Sequence, residues 1–252
     1  MNKISAVITC FNNQDTIKQC IESLKFADEI VVLDSFSSDK TLDILEEYNC
    51  TIHQQKFAGY SQQKQKAIDL AQNNWVILLD SDEFFTKESQ QIITNWKNTN
   101  PLANAYEMPR QEWVFWQWSH PWVRMNMFIR LFNKTSAKMS QDLVHESVNS
   151  TGKIAKINAV IKHRGETSIS KKLEKINHYS SLAAQQKYKQ GKSVLPLKLL
   201  IYPLFYFIKQ YIFRRQIFNG WAGLINASLN ARYAFLKYAK LYELKKQNID
   251  KL

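Results

Sequence analysis

The sequence predicts an α/β fold with a mostly parallel central sheet, followed by a basic helical C-terminal region. Three observations carry that prediction. Short apolar runs alternate with stretches of helical period through the first hundred residues. Three of those runs end in polar clusters, and open α/β sheets bind ligands beyond the carboxyl ends of their strands. From Ser168 onward strand signal fades while Lys and Arg accumulate.

Taken in order, Ile4 to Thr9 (ISAVIT) is an apolar run suited to a buried strand, and Ile17, Cys20, Ile21 and Leu24 recur at helical spacing. Ile30 to Leu33 is a second strand that ends at Asp34. A helix over Thr41 to Tyr48 follows, with Asp39 near its start, where an acid favours the helix dipole or caps the turn. Thr51 to His53 reads as a short strand, and Ser61 as the cap of a helix carrying Ala67, Ile68 and Ala71. Trp75 to Leu79 is a buried strand running into Asp80, and Thr86 caps a helix through Trp96. Residues 105–133 are aromatic-rich, with Trp113, Trp116, Trp118 and Trp122, and include a strand over Met127 to Phe132. Ile154 to His163 reads as another strand. A helix over Ser170 to Lys189, with Leu173, Ile176, Leu182 and Ala183 on its apolar side, closes at Gly191. Two further helical stretches lie near Pro196–Phe213 and Ile217–Lys245.

The chain has 252 residues, 45% of them hydrophobic, enough for a sizeable core. Six glycines and five prolines exclude collagenous and low-complexity classes. Cys10, Cys20 and Cys50 are an odd set without metal-site spacing, which points to a reducing compartment. The start of the chain, passing directly from Met1-Asn2-Lys3 into a strand, predicts no signal peptide.

Charge divides the chain. Residues 1–150 hold 14 Lys and Arg against 18 acids, whereas residues 151–252 hold 20 against 4, a balance of +16. We therefore expect a globular domain over 1–165 and a basic, membrane-proximal helical region over 166–252. Leu199 to Ile208 is the longest strongly apolar run, and its ten residues fall short of the roughly 20 that span a bilayer. Basic residues interleaved with Tyr, Phe and Leu fit a helix lying at an anionic membrane surface. The competing reading is helices packed on the α/β domain with a solvated basic face. No nucleic-acid partner is expected, since no binding motif accompanies the charge.

The acids give the first chemistry. Asp80 and Asp82 follow a buried strand at i and i+2, so on extended backbone both point one way, and hard carboxylates suit Mg²⁺ or Mn²⁺. Asp34, at another strand end, suits hydrogen bonding to a base or ribose. His163 ends a strand and offers an imidazole as a further metal ligand. Arg130, set between apolar residues in FIRLF, needs a partner, and the bidentate geometry of its guanidinium suits a phosphate. The aromatic faces of the Trp113–Trp122 region suit stacking on a ligand's rings, with core packing as the alternative.

Together, ISAVITCFN, EIVVLDSFSSDKT and VILLDSDE resemble family 2 glycosyltransferases of the GT-A fold. FAGYSQQKQKA, FIRLF, DLVHESV, VIKHRGE and KINHY extend the likeness toward bacterial lipopolysaccharide-core β-glucosyltransferases acting on inner-core heptose. The resemblance implies that Thr9, Phe11, Asn12 and Asp34 hold the nucleotide. It places Asp82 on the metal, Asp80 near the ribose or a metal-bound water, and Lys64 toward the diphosphate or base. It implies an inverting transfer, with Glu146 as base and Asp142 as runner-up, Arg130 on an acceptor phosphate, His145 beside the acceptor, and the Trp113–Trp122 region lining the acceptor site. This chain lacks the Glu-Asp pair common in other family 2 members. The expected donor is a UDP-hexose, chiefly UDP-glucose, and the expected acceptor is a lipopolysaccharide core or lipid-linked saccharide. The expected place is the cytoplasmic face of the inner membrane. The alternatives are a family 2 transferase for a capsule, O-antigen or glycolipid acceptor, and a non-enzymatic membrane-surface protein. A nucleotidyltransferase is disfavoured because Cys10-Phe11-Asn12-Asn13 offers no Gly-rich phosphate loop.

Overall fold

A computed structural model describes residues 1–140, 147–192 and 197–249. Each apolar run in the first eighty residues forms a strand and each helical-period stretch a helix. They run β1 (Ile4–Cys10), α1 (Ile17–Glu22), β2 (Glu29–Asp34), α2 (Thr41–Glu46), β3 (Thr51–Gln54), α3 (Tyr60–Leu70) and β4 (Trp75–Asp80). Then come β5 (Glu83–Phe85), α4 (Lys87–Lys97), β6 (Ala105–Val114), β7 (Gln117–Trp118), β8 (Asn126–Asn133), β9 (Ala137–Met139), β10 (Val148–Ser150), β11 (Ile154–Lys156) and β12 (Ile161–Glu166). The helical part comprises α5 (Ile169–Lys189), α6 (Leu197–Ile208) and α7 (Gly220–Ile249), with a π-helical turn at Lys209–Phe213 and a 3₁₀ turn at Gln216–Asn219.

The main sheet runs β3-β2-β1-β4-β8-β6-β12-β5, with β7 and β11 added beside β6. Its first four strands are parallel, as the strand–helix alternation predicts. β8 then pairs antiparallel with β4 and β6 antiparallel with β8. Ile4, Ile8, Ile77 and Leu79 face one buried cluster with Ile17, Ile21 and Leu24 of the α1 region, while Val7, Leu33 and Leu78 face another with Ala67 and Ile68 of α3. Both faces of the parallel strands are thus covered, which is why these strands read as continuous apolar runs.

The chain divides into two compact units, residues 1–111 with 125–164 and residues 112–124 with 165–252. Residues 112–124, placed by sequence in the first domain, group with the helices. In that second unit Val114 and Phe115 pack with Ala222, and Ala184 packs with Tyr238 and Leu241.

Three local readings are corrected. Ser61 does not cap α3: the helix starts at Tyr60, and the Ser61 hydroxyl donates to the Ser140 carbonyl. Thr86 does cap α4, accepting from Ser89 N–H at 3.2 Å. The stretch Ile154 to His163 is two strands, β11 beside β6 and β12 beside β5. The buried side of α5 is Lys172, Ile176, Ser180 and Ala184, and Lys172 is accommodated by donating to Asn226 Oδ1 at 2.6 Å. Among the described residues no helix is long and apolar enough to cross a membrane.

Candidate active site

Strand register assembles the polar strand ends. Cys10 of β1 lies opposite Asp34 of β2, Thr9 lies opposite Asp80 of β4, and Asp34 lies opposite Gln54 of β3. The three clusters that sequence placed at carboxyl ends therefore meet at one edge of the first unit.

The loops after β1 and β2 are stitched together. Asn12 and Phe36 both adopt left-handed backbone, with φ of 53° and 63°. Such a conformation is uncommon outside glycine and needs local support. Asn12 N–H donates to Ser37 Oγ at 2.9 Å, and Asn12 Oδ1 accepts from Ser38 N–H at 2.8 Å. Phe11, next to Asn12, is exposed. Asp34 is buried and accepts from Ser37 N–H at 2.9 Å, from the Ser37 hydroxyl at 2.5 Å and from Gln54 Nε2 at 3.1 Å. Burial pushes its pKa up, but these donors outweigh it and hold the carboxyl below its usual range. Burial, reinforced by Asp34, pushes the Cys10 thiol far up, so it is an unreactive core group. Lys40 is the N-cap of α2; Asp39 just before it accepts from Thr41 N–H at 3.0 Å and also ties in Gln14 N–H at 3.1 Å.

Beyond β4, Asp80 and Asp82 take different partners. β4 ends at Asp80 and residues 81–82 form a turn into β5, so strand alternation no longer governs the two side chains. Asp80 accepts Lys64 Nζ on one oxygen at 2.6 Å and an Arg130 guanidinium nitrogen on the other at 3.1 Å. Burial alone raises its pKa, yet the two cations hold the carboxyl far below its usual range. Asp82 instead faces His163, with Nε2 to Oδ2 at 3.2 Å. β12 produces that pairing: His163 lies opposite Glu83, and Arg164 N–H donates to the Asp82 carbonyl at 3.0 Å.

Sequence reasoning missed Glu83 and Arg110. Glu83 is fully buried, and its Oε1 accepts from Arg130 at 2.7 Å and from Arg110 at 2.8 Å, while Oε2 accepts from Asp80 N–H at 3.1 Å. The carboxylate thereby closes the Asp80–Glu83 turn from inside. Both guanidiniums also lie over the Phe128 ring, at 4.3 Å and 5.6 Å from its centroid. The signal that flagged Arg130, an Arg among apolar neighbours, was sound. Its partner is a pair of internal carboxylates, and Arg130 is buried rather than offered to an acceptor.

Lys64, which sequence left open as an exposed helix lysine, is buried and paired with Asp80. The helix that carries it also holds β9, which precedes residues 141–146. Ser140 and Ser147 exchange hydrogen bonds at 2.7 Å and 3.1 Å, and Met139 N–H donates to Gln65 Oε1 of α3 at 2.9 Å. Between those serines lie Asp142, His145 and Glu146, which fall outside the described residues. A cleft of about 740 Å³ runs along α3 and β9, lined by residues that include Tyr60, Lys66, Lys138 and Ser140. In the second unit, Trp113 stacks edge-on with Trp118, and His120, Trp122 and Phe218 form a ring cluster with Trp122 exposed.

Among the described residues no three His, Cys, Asp or Glu side chains are grouped to hold a metal. Asp82 and His163 supply two donors, an oxygen and a nitrogen, partly open to solvent. That set fits Mg²⁺ or Mn²⁺, which bind through one or two protein ligands and complete their shell with substrate phosphates and water.

Residues 5–152 match the family described as Glycosyl transferase family 2, and the chain belongs to that family. It is thus a glycosyltransferase with an α/β fold built on a mostly parallel first half of the sheet. An uncharacterized glycosyltransferase of Rickettsia felis (strain ATCC VR-1525 / URRWXCal2) is 32% identical, with 99% of this chain and 93% of the relative aligned. A lipopolysaccharide core biosynthesis glycosyltransferase, LpsC of Rhizobium meliloti (strain 1021), is 29% identical over 95% of this chain and 92% of the relative. Among solved structures, S. aureus TarS is 14% identical, with a TM-score of 0.48 over 98% of this chain and 92% of that chain.

Proposed function

We propose that the chain transfers a hexose, glucose from UDP-glucose, onto inner-core heptose of a lipopolysaccharide acceptor with inversion at the anomeric carbon. The observation that carries this reading is the 3.2 Å pairing of Asp82 with His163 beside the clamped Asp80. The full-length likeness to a lipopolysaccharide core transferase supports the acceptor class.

In this reading the loops at Thr9–Asn12 and Asp34–Ser37 hold the nucleoside, and Asp80 and Lys64 lie toward ribose and diphosphate. Asp82 and His163 hold the divalent cation. When bound, that cation neutralises charge on the departing diphosphate. Arg130 and Glu83 keep Asp80 and the turn in place. Glu146, with Asp142 as alternative, accepts the proton of the heptose hydroxyl as that oxygen bonds to the anomeric carbon. The bond from that carbon to the diphosphate oxygen breaks on the opposite face, and UDP leaves. An α-linked donor thus gives a β-linked product. His145 borders the acceptor. The C-terminal basic region works at the cytoplasmic face of the inner membrane, where the acceptor is both anionic and lipid-anchored.

The test incubates enzyme and Mn²⁺ with heptose-terminated lipopolysaccharide and each UDP-sugar, reading product by mass and linkage by NMR. The expected product is one hexose heavier, best from UDP-glucose, and β-linked. An α linkage contradicts the inverting mechanism, and transfer only to a non-carbohydrate lipid contradicts the acceptor.

A further inference from the structure

Helix α6 wears its apolar side outward. Leu197, Leu200, Ile201, Leu204, Phe205 and Ile208 are all exposed, Leu200 at 74%. Their spacing of i, i+3, i+4, i+7, i+8 and i+11 places them on one helical face. On the other side, Leu199 and Tyr202 pack against the cluster of Ala184, Tyr238 and Leu241. The stripe continues into Ile212 and Phe213 of the π-helical turn, also exposed.

A helix packed within a soluble unit shows water its polar side. Here the outward face carries no charge, and contiguous exposed apolar surface of this kind marks an interaction site. Charge names the occupant. No acid occurs between residues 197 and 215, whereas Lys198, Lys209, Arg214 and Arg215 flank or follow the stripe. A second copy of the chain brings the same cations to a two-fold interface and is repelled. An anionic lipid surface offers acyl chains to the leucines and headgroups to the cations. The twelve residues of α6 span about 18 Å, too short to cross a bilayer of about 30 Å and suited to lying in its plane.

We infer that the outer stripe of α6 is an in-plane membrane anchor: Leu200, Leu204 and Phe205 enter the acyl boundary of an anionic leaflet, and Lys198, Lys209, Arg214 and Arg215 meet its headgroups. This rests on the proposed working place at the membrane and names the surface responsible.

The test sediments the full chain with phosphatidylcholine vesicles made with and without phosphatidylglycerol, at low salt and at about 1 M salt, where charge is screened beyond about 3 Å. Wild type is expected to bind the anionic vesicles and to keep a bound fraction at high salt. Leu200→Glu with Leu204→Glu is expected to weaken binding at least tenfold and leave the thermal melt unchanged. Phe205→Gln, a smaller change, is expected to weaken it in the same direction. Double-variant binding equal to wild type, or complete release by salt, overturns the apolar anchor while leaving peripheral attachment standing. No wild-type binding to any vesicle overturns both. A wild-type dimer abolished by the double variant, without vesicle binding, assigns the face to a second copy and overturns the proposal.

Discussion

Nε2 of His163 lies 3.2 Å from Oδ2 of Asp82, although 81 positions separate the two in sequence. The antiparallel register of β12 on β5 creates the contact. Among the described residues this pair offers one oxygen and one nitrogen donor, and in the proposed function each contributes to holding a cation on the diphosphate. His163→Ala is expected to raise the Mn²⁺ concentration for half-maximal transfer by about tenfold to a hundredfold, with little change in the thermal melt. A metal response identical to wild type removes His163 from the ligand set.

Glu83 is expected to be the most stability-critical acid of the site. It is fully buried and compensates two guanidiniums at once. Glu83→Ala strands both cations and is expected to cost about 3–5 kcal/mol in denaturant unfolding. Glu83→Gln retains a carbonyl acceptor and is expected to cost less. A loss below about 1 kcal/mol for the alanine variant contradicts the staple.

Asp80 gives a pH signature. Its carboxyl is held below the usual range in the folded chain by Lys64 and Arg130 against the opposing effect of burial. A depressed folded pKa contributes stability that is complete above the unfolded value, about 3.9, and declines as pH falls toward the folded one. Asp80→Asn is therefore expected to cost about 3 kcal/mol at pH 7. The difference from wild type should shrink as pH drops below about 4. Unfolding curves for both chains at pH 7 and pH 3 measure it, and a constant gap contradicts the ion-pair origin.

For proton removal, Glu146→Gln is expected to keep UDP-sugar affinity and lose most turnover, because only a transition-state interaction is removed. Asp142→Asn is expected to be milder. Single-turnover rates with saturating donor decide it, and the reverse ranking moves the role to Asp142.

The parallel half of the sheet was legible because its strands are apolar on both faces and end in polar residues, as ISAVIT and WVILL do. β6 was not: Glu107, Pro109, Arg110 and Glu112 interrupt its pattern, and a bulge falls between Tyr106 and Glu107. The same strand hides Arg110, whose partner Glu83 lies 27 positions away. The sequence DSDE shows three acids without saying that Asp80 turns to Lys64, Asp82 to His163 and Glu83 inward, since those directions depend on the turn at 81–82. Helical period alone also left the outward face of α6 open, because a stripe of leucines has the same spacing whether it faces a core or a membrane.

The most direct measurement is Mn²⁺ binding followed by electron paramagnetic resonance, with and without UDP, on wild type and Asp82→Asn. Wild type is expected to take up one Mn²⁺ tightly only when UDP is present, because in the proposed site Asp82 and His163 are completed by the diphosphate. Asp82→Asn is expected to lose that uptake while melting like wild type. UDP binding of equal affinity in chelator, or full Mn²⁺ uptake by the variant, contradicts a metal-held diphosphate at Asp82 and His163.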